Sequence, residues 1–200
     1  AAGVPTYTTA DGFSISFQGV GSDLVKIPDG TYRLKDEAIL LRVEDRGLDG
    51  WEARDASGTR YRFGQAAPSQ IEHGGRVFRW ALDEVTDVSG NRFTVTYAQD
   101  QRQLYPSHIR YTAHEPTNLP PANDVAFLLE DRPDAETSYR SGFAVTTAKR
   151  LKQVEATAML EGAPALAARY ELAYRVSPRT GRSLLASVTT IGRDGTTSLP

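Results

Sequence analysis

The sequence predicts an all-β fold: an antiparallel β-sheet built of successive hairpins, sandwich-like or curved and open. Three observations carry that prediction. Apolar and polar residues alternate with period two in many separate runs. Glycine-containing turn dipeptides divide those runs at short intervals. Helical periodicity is nearly absent, so less than about a tenth of the chain is expected to be helix.

The runs follow one another along the whole chain. Phe13, Ile15 and Phe17 alternate with serines and Gln18; Ile39, Leu41 and Val43 share a face. Trp51 and Ala53 alternate with Glu52 and Arg54, and Tyr61 and Phe63 with Arg60 and Arg62. Phe78, Trp80 and Leu82 form one run, Phe93, Val95 and Tyr97 the next, then Ile109 with Tyr111. Val125 to Leu129 is continuously apolar, the pattern of a buried strand. Tyr170, Leu172 and Tyr174 precede Leu184, Ala186 and Val188. Asp29-Gly30, Asp49-Gly50, Ser57-Gly58, Ser89-Gly90-Asn91 and Asp194-Gly195 read as hairpin turns. Thr117 to Asn123 is the expected long loop, Glu161 to Pro164 a break between two long strands, and Gly64 to Gly75 has room for one helical turn. An antiparallel sheet with one wet face explains the alternation. Trp51, Trp80, Phe93, Val95, Phe127 and Leu172 are the expected core.

Two hundred residues with no domain break suit a single domain spanning residues 1–200. Against 25 acidic residues stand 23 basic ones, a formal charge of −2, which disfavours nucleic acid or an anionic membrane as the main partner. The absence of cysteine excludes disulfides, thiolate catalysis and cysteine metal sites. No apolar run approaches the roughly 18 residues that span a bilayer, and no signal peptide opens the chain. Ala1 and Pro200 both fall mid-pattern, and the chain reads as a fragment of a longer protein.

Catalytic machinery is not visible. His73, His108 and His114 lack the short local spacing of zinc ligands. No Gly-x-Ser-x-Gly elbow occurs, and Ser141-Gly142 reads as a turn. Asp83-Glu84 with Asp87, or Asp131 with Asp134 and Glu136, are acidic turns that supply calcium-type oxygens but no EF-hand loop. Both tryptophans fall in phase with apolar neighbours, which favours core packing over a sugar platform. Gly19-Val20-Gly21 is too short for a phosphate loop. No cofactor or metal is expected.

The most specified stretch is Glu130 to Leu151. Pro133 is expected to stop the preceding strand, since it cannot donate to a ladder. Asp131, Asp134 and Glu136 meet Arg132, Arg140, Lys149 and Arg150 in a charged corner, which as a bland reading is a solvated connection. Ser141-Gly142 marks a turn, after which Phe143, Val145 and Thr147 resume the alternation. Gly142 is expected at a backbone conformation costly to other residues. Arg140 is expected to be held by Asp134, Glu136 or a carbonyl, with Tyr139 and Phe143 packed inward.

This stretch resembles the signature of the SpvB family, the region shared by SpvB-type virulence proteins and the B components of insecticidal Tc toxins. The matching residues are Arg132-Pro133-Asp134, Thr137-Ser138-Tyr139-Arg140-Ser141-Gly142-Phe143, Val145-Thr146-Thr147 and Lys149-Arg150-Leu151. Gly3-Val4-Pro5 with Tyr7 is similar to the family's opening, and Gly181-Arg182-Ser183-Leu184-Leu185 with Ser187-Val188-Thr189 to a later motif. GRDGTTSLP, Gly192 to Pro200, is similar to the segment before the family's FG-GAP repeats. Asp87-Val88-Ser89-Gly90-Asn91-Arg92 resembles one unit of an Rhs/YD repeat, and Asp55 to Phe63 and Tyr174 to Thr190 echo it.

The resemblance implies a non-catalytic scaffold domain of a secreted bacterial toxin. In Tc toxins, B and C components form a hollow β-sheet shell around a toxic C-terminal enzyme, and in SpvB-type proteins the transferase lies far downstream. The motif residues are then structural, and the partners are the rest of the parent chain and the toxin-complex subunits. Membrane insertion by this segment is not implied. The alternative is a carbohydrate- or protein-binding β-sandwich of a secreted bacterial protein, and an enzyme would instead show convergent polar groups in a deep pocket.

Overall fold

A computed structural model of the chain describes residues 3–8, 10–36 and 39–199. Ala1 and Pro200, the latter closing the GRDGTTSLP segment, lie outside them. Strand accounts for 63% of the chain and helix for 2%, so the expected scarcity of helix is met. The strands are β1 (Ser14–Phe17), β2 (Val20–Lys26), β3 (Tyr32–Leu34), β4 (Leu41–Asp45), β5 (Trp51–Asp55), β6 (Arg60–Phe63), β7 (Gln70–His73) and β8 (Arg76–Trp80). They continue as β9 (Leu82–Thr86), β10 (Asn91–Asp100), β11 (Gln103–His114), β12 (Asn123–Ser138), β13 (Val145–Leu160), β14 (Ala163–Val176), β15 (Ser183–Ile191) and β16 (Ser198–Leu199).

Among the described residues, fourteen strands make one open antiparallel sheet in chain order, each pairing with the next, except that β6 pairs directly with β9. The hairpin β7–β8 leaves the sheet between them as a separate two-stranded ribbon. The run Phe78, Trp80, Leu82 is therefore not one strand: the chain changes sheets at Ala81, whose amide donates to the Ser69 carbonyl. The segment 64–75, with room for one helical turn, forms none, and among the described residues the one 3-10 turn sits at Gly47–Asp49.

Turn chemistry sets this meander. Gln18-Gly19, Gly74-Gly75, Gln101-Arg102 and Glu161-Gly162 are two-residue connections with positive φ at both positions. That geometry matches the twist of paired strands. Asp55 and Asp87 each open a longer turn whose fourth residue, Gly58 or Gly90, has positive φ. Asp55 Oδ1 accepts from the amides of Ser57 and Thr59, and Asp87 Oδ1 from those of Ser89 and Asn91. Two of the three repeat-like segments thus build the same capped hairpin.

The two faces of the sheet differ. On one, Tyr32, Val43, Ala53, Tyr61, Val85 and Phe93 stand opposite one another from β3 to β10. Val95, Ile109, Val125, Ala156 and Ala168 continue the apolar row to β14. Only its first part is covered. Phe17, Tyr32, Leu34, Leu41, Val43, Trp51 and Ala53 form the buried core, with Phe13, Ile15 and Trp80 packed over it. Trp51 lies edge-on to Phe13, Tyr32 and Trp80 at ring separations of 4.8, 5.3 and 5.9 Å. Trp51 and Val95 are buried as expected, whereas Trp80, Phe93, Phe127 and Leu172 are half-buried. Phe127 and Leu172 lie beyond β10, where the apolar side chains Tyr170, Leu185 and Val188 are exposed as well.

The opposite face is ionic. Six arginines, 42, 46, 54, 60, 62 and 92, pair there with four glutamates, 44, 52, 84 and 115.

Candidate functional site

The motif-bearing segments, far apart in sequence, meet at two junctions along one end of the sheet. At the first, β12 does not stop at Pro133. It runs through to Ser138 with a wide bulge: Asp131 pairs with Lys149 and Glu136 with Thr147, so Arg132 to Ala135 face the single residue Ala148. Proline is tolerated because a bulge asks no ladder hydrogen bond of it. The β13 amides left without a strand partner are satisfied from β11, where the Tyr105 hydroxyl accepts from Ala148 and Lys149 at 2.9 and 3.2 Å.

The bulge reaches past β13 and β14 and docks on β15. Arg132 grips Asp134 through two bonds of 3.1 and 2.8 Å. Asp134 in turn accepts from the Ser183 amide at 2.9 Å and the Ser183 hydroxyl at 2.6 Å. Arg150 donates to Ser183 Oγ at 2.8 Å and to Glu130 at 2.7 Å, and its guanidinium lies 4.2 Å over the Tyr174 ring. Arg182 reaches Glu136 at 2.6 Å, and Lys149 reaches Asp131 at 2.5 Å. The Arg132 pair and the Ser183 donors hold the Asp134 carboxyl far below the usual carboxylate range. Arg182 likewise lowers Glu136, and Asp131 raises Lys149.

At the second junction the N-terminal segment closes over the β12–β13 corner. The Tyr7 hydroxyl donates to the Ser141 carbonyl at 2.5 Å. Ser141 is buried, and its Oγ donates to the Phe143 carbonyl at 2.6 Å. Gly142 has φ +78°, and a Cβ there would lie 3.2 Å from Val4 Cγ1. Phe143 is half-buried between Tyr7, at a ring separation of 6.5 Å, and His73 at the β7–β8 tip, at 5.6 Å. Arg76 from the same tip sits 5.7 Å over the Tyr7 ring. Asp11 orders the segment by accepting from the amides of Thr6, Tyr7 and Thr8.

Several expectations for this corner need correction. Tyr139 is 67% exposed and does not pack inward, because the turn projects it past the sheet end. Arg140 is also exposed and, among the described residues, makes no ion pair: Asp134 is taken by Arg132 and Ser183, and Glu136 by Arg182. Thr137 pairs with Thr146 through their hydroxyls at 2.8 Å, and Ser138 Oγ accepts from the Arg140 amide at 3.3 Å. The roles of Tyr7, Tyr105 and Ser183 were not legible as contacts, since each acts across at least 40 residues and no local pattern marks its partner.

The candidate chemical groups disperse. Asp83 points to the Gln65–Ser69 loop and accepts from the amides of Gln65 and Ala66, Glu84 lies among arginines, and Asp87 caps its turn, so the three carboxylates share no calcium cage. Asp131, Asp134 and Glu136 all have cationic partners from the chain itself. His108 pairs with Asp124 at 2.9 Å and His114 bonds Thr117 and the Ser89 carbonyl. Both tryptophans lie in the packed cluster rather than on a platform.

Neither a family model nor a curated protein matches the chain. Solved structures do. The N-terminal domain of effector protein SpvB from Salmonella typhimurium strain LT2 superposes with a TM-score of 0.81 at 16% identity, over 95% of this chain and 83% of that one. A chain of TcdB2-TccC3 superposes at 0.73 and 16% identity, over 99% of this chain and 13% of that one. The Photorhabdus luminescens Tc holotoxin pore gives 0.75 at 16% identity with the same coverages. The fold is thus the one found in SpvB and Tc-toxin structures, and the chain spans a small part of the Tc chains it resembles.

Proposed function

We propose that this sheet is a structural scaffold unit of a secreted bacterial toxin of the SpvB or Tc type, acting with residues 1–200 as one domain. It contributes to the shell or delivery body rather than to the toxic chemistry. The observation that carries this reading is the superposition of nearly the whole sheet on the SpvB N-terminal domain and on a segment of TcdB2-TccC3. The physical character of the fold supports it. An open sheet that leaves Tyr170, Leu185 and Val188 exposed suits a wall element completed by neighbouring chain. The motif residues Arg132, Pro133, Asp134, Ser141, Gly142, Phe143, Lys149 and Arg150 serve as fasteners between distant segments, which is what a wall requires. Its partners are the remainder of the parent chain and the toxin-complex subunits. A glycan-binding role is less supported, since both tryptophans lie in the packed cluster.

The test is to express the parent toxin with and without Gly142→Val and with the domain deleted, then follow particle assembly by size-exclusion chromatography and electron microscopy. Loss of assembly in both, with no hydrolase or transferase turnover by the isolated domain, is the expected result. Normal assembly and delivery without the domain would refute the proposal.

A further inference from the structure

We propose that the ionic face of β4–β10 is a docking strip for an acidic polypeptide segment. The inference does not depend on the scaffold reading. Arg42, Arg54 and Arg60 stand directly opposite one another on three adjacent strands, and Arg92 follows two strands further on, with Thr86 between. Like charges in cross-strand register destabilise a sheet. Arg42, Arg54 and Arg60 each have a glutamate, Glu44, Glu52 and Glu115, but among the described residues of this face six arginines meet four glutamates in all, in a chain whose overall charge is −2.

The deficit is sharpest around Glu84. Its one carboxylate is shared by Arg62 at 3.0 Å, Arg92 at 3.6 Å and Arg60 at 3.8 Å. The Nε–H groups of all three arginines are shielded from solvent and, among the described residues, have no acceptor. Guanidiniums present five donors each and no acceptor, so they bind carboxylates well when little water must be shed. Here the side chains are already held and partly desolvated, at 21–33% exposure, so an incoming carboxylate does not bear the entropy of ordering them. Strands about 4.8 Å apart present the row at short intervals. The face is a broad ladder rather than an enclosed pocket, which fits a polypeptide carrying several carboxylates better than a small anion. Its modest charge excess also fits a polypeptide better than a nucleic acid.

The test titrates the chain with poly-L-glutamate at low salt by calorimetry, alongside inorganic polyphosphate and duplex DNA. Poly-L-glutamate is expected to bind, with the Nε–H resonances of Arg60, Arg62 and Arg92 shifting. The Arg42→Gln/Arg54→Gln double variant should weaken binding by about tenfold or more, whereas Arg175→Gln/Arg179→Gln, an equal loss of charge elsewhere, should leave it unchanged. Glu84→Gln removes the internal competitor and should tighten binding, which a purely structural cluster would not do. Melting curves confirm that each variant is folded, and an unfolded double variant is replaced by Arg92→Gln alone. Absence of binding, equal weakening by the control pair, or tighter binding of polyphosphate or DNA through the same arginines would overturn the proposal.

Discussion

Replacing Trp51 by alanine should cost far more than the same truncation at Phe127, although both sit on the apolar side of alternating runs. Trp51 is 6% exposed and touches three aromatic rings. Roughly 200 Å² of removed contact at about 25 cal/mol per Å² gives about 5 kcal/mol, and buried tryptophan truncations fall near 3–5 kcal/mol. Phe127 is only half-buried, so about half that area, or roughly 2.5 kcal/mol, is at stake. For a chain of this length each kcal/mol moves the melting midpoint by about 2–4 °C. Trp51→Ala should therefore lower Tm by roughly 8–16 °C and Phe127→Ala by about half as much. Thermal melts followed by circular dichroism, with urea titrations to confirm constant cooperativity, measure both. Equal shifts for the two variants, or an unchanged Tm for Trp51→Ala, would refute the placement of the core under the first half of the sheet.

Gly142→Val should destabilise by about 1 kcal/mol or more, because a β-branched residue is forced to positive φ and crowds Val4; urea unfolding reads this directly. Arg140→Ala should stay within about 0.5 kcal/mol of the parent, since its guanidinium is exposed and unpaired, and a larger loss in the same titration would restore a structural role for it. Tyr7→Phe removes the hydroxyl that donates to Ser141, an expected loss of about 0.5–1.5 kcal/mol, accompanied by faster proteolysis near the N-terminus. Asp134 has its carboxyl lowered in the native state, so its contribution is complete above an unfolded-state pKa near 4 and is lost as pH falls below that value; Asp134→Asn should flatten the acid limb of a Tm-against-pH curve, and an unaltered limb would show that the Arg132–Asp134–Ser183 link does not stabilise the fold.

The alternation of Trp51 with Glu52 and of Val95 with Thr96 was enough to predict an antiparallel sheet, because a strand's period of two is written residue by residue. Turn identity was equally local where aspartate and glycine mark it, as at Asp55 and Asp87. Gln101-Arg102 carries no such mark, and there the flanking strands of β10 and β11 impose the positive φ. Which apolar face would be covered was not local at all. Phe93 and Trp51 have the same pattern, yet only Trp51 is buried, because only the first half of the sheet has Phe13 and Trp80 folded over it. Competition among charges was likewise decided in three dimensions. Arg132 and Ser183 took Asp134, Arg182 took Glu136, and Arg140 was left in water, although sequence proximity alone favoured it. Pro133 needed a bulge rather than a strand end because Tyr105, from another strand, could supply the acceptor that β13 lost. Backbone periodicity and turn chemistry act over a few residues and so can be read in order. Burial and pairing depend on what arrives from elsewhere in the chain, and that is fixed only when the sheet has closed its junctions.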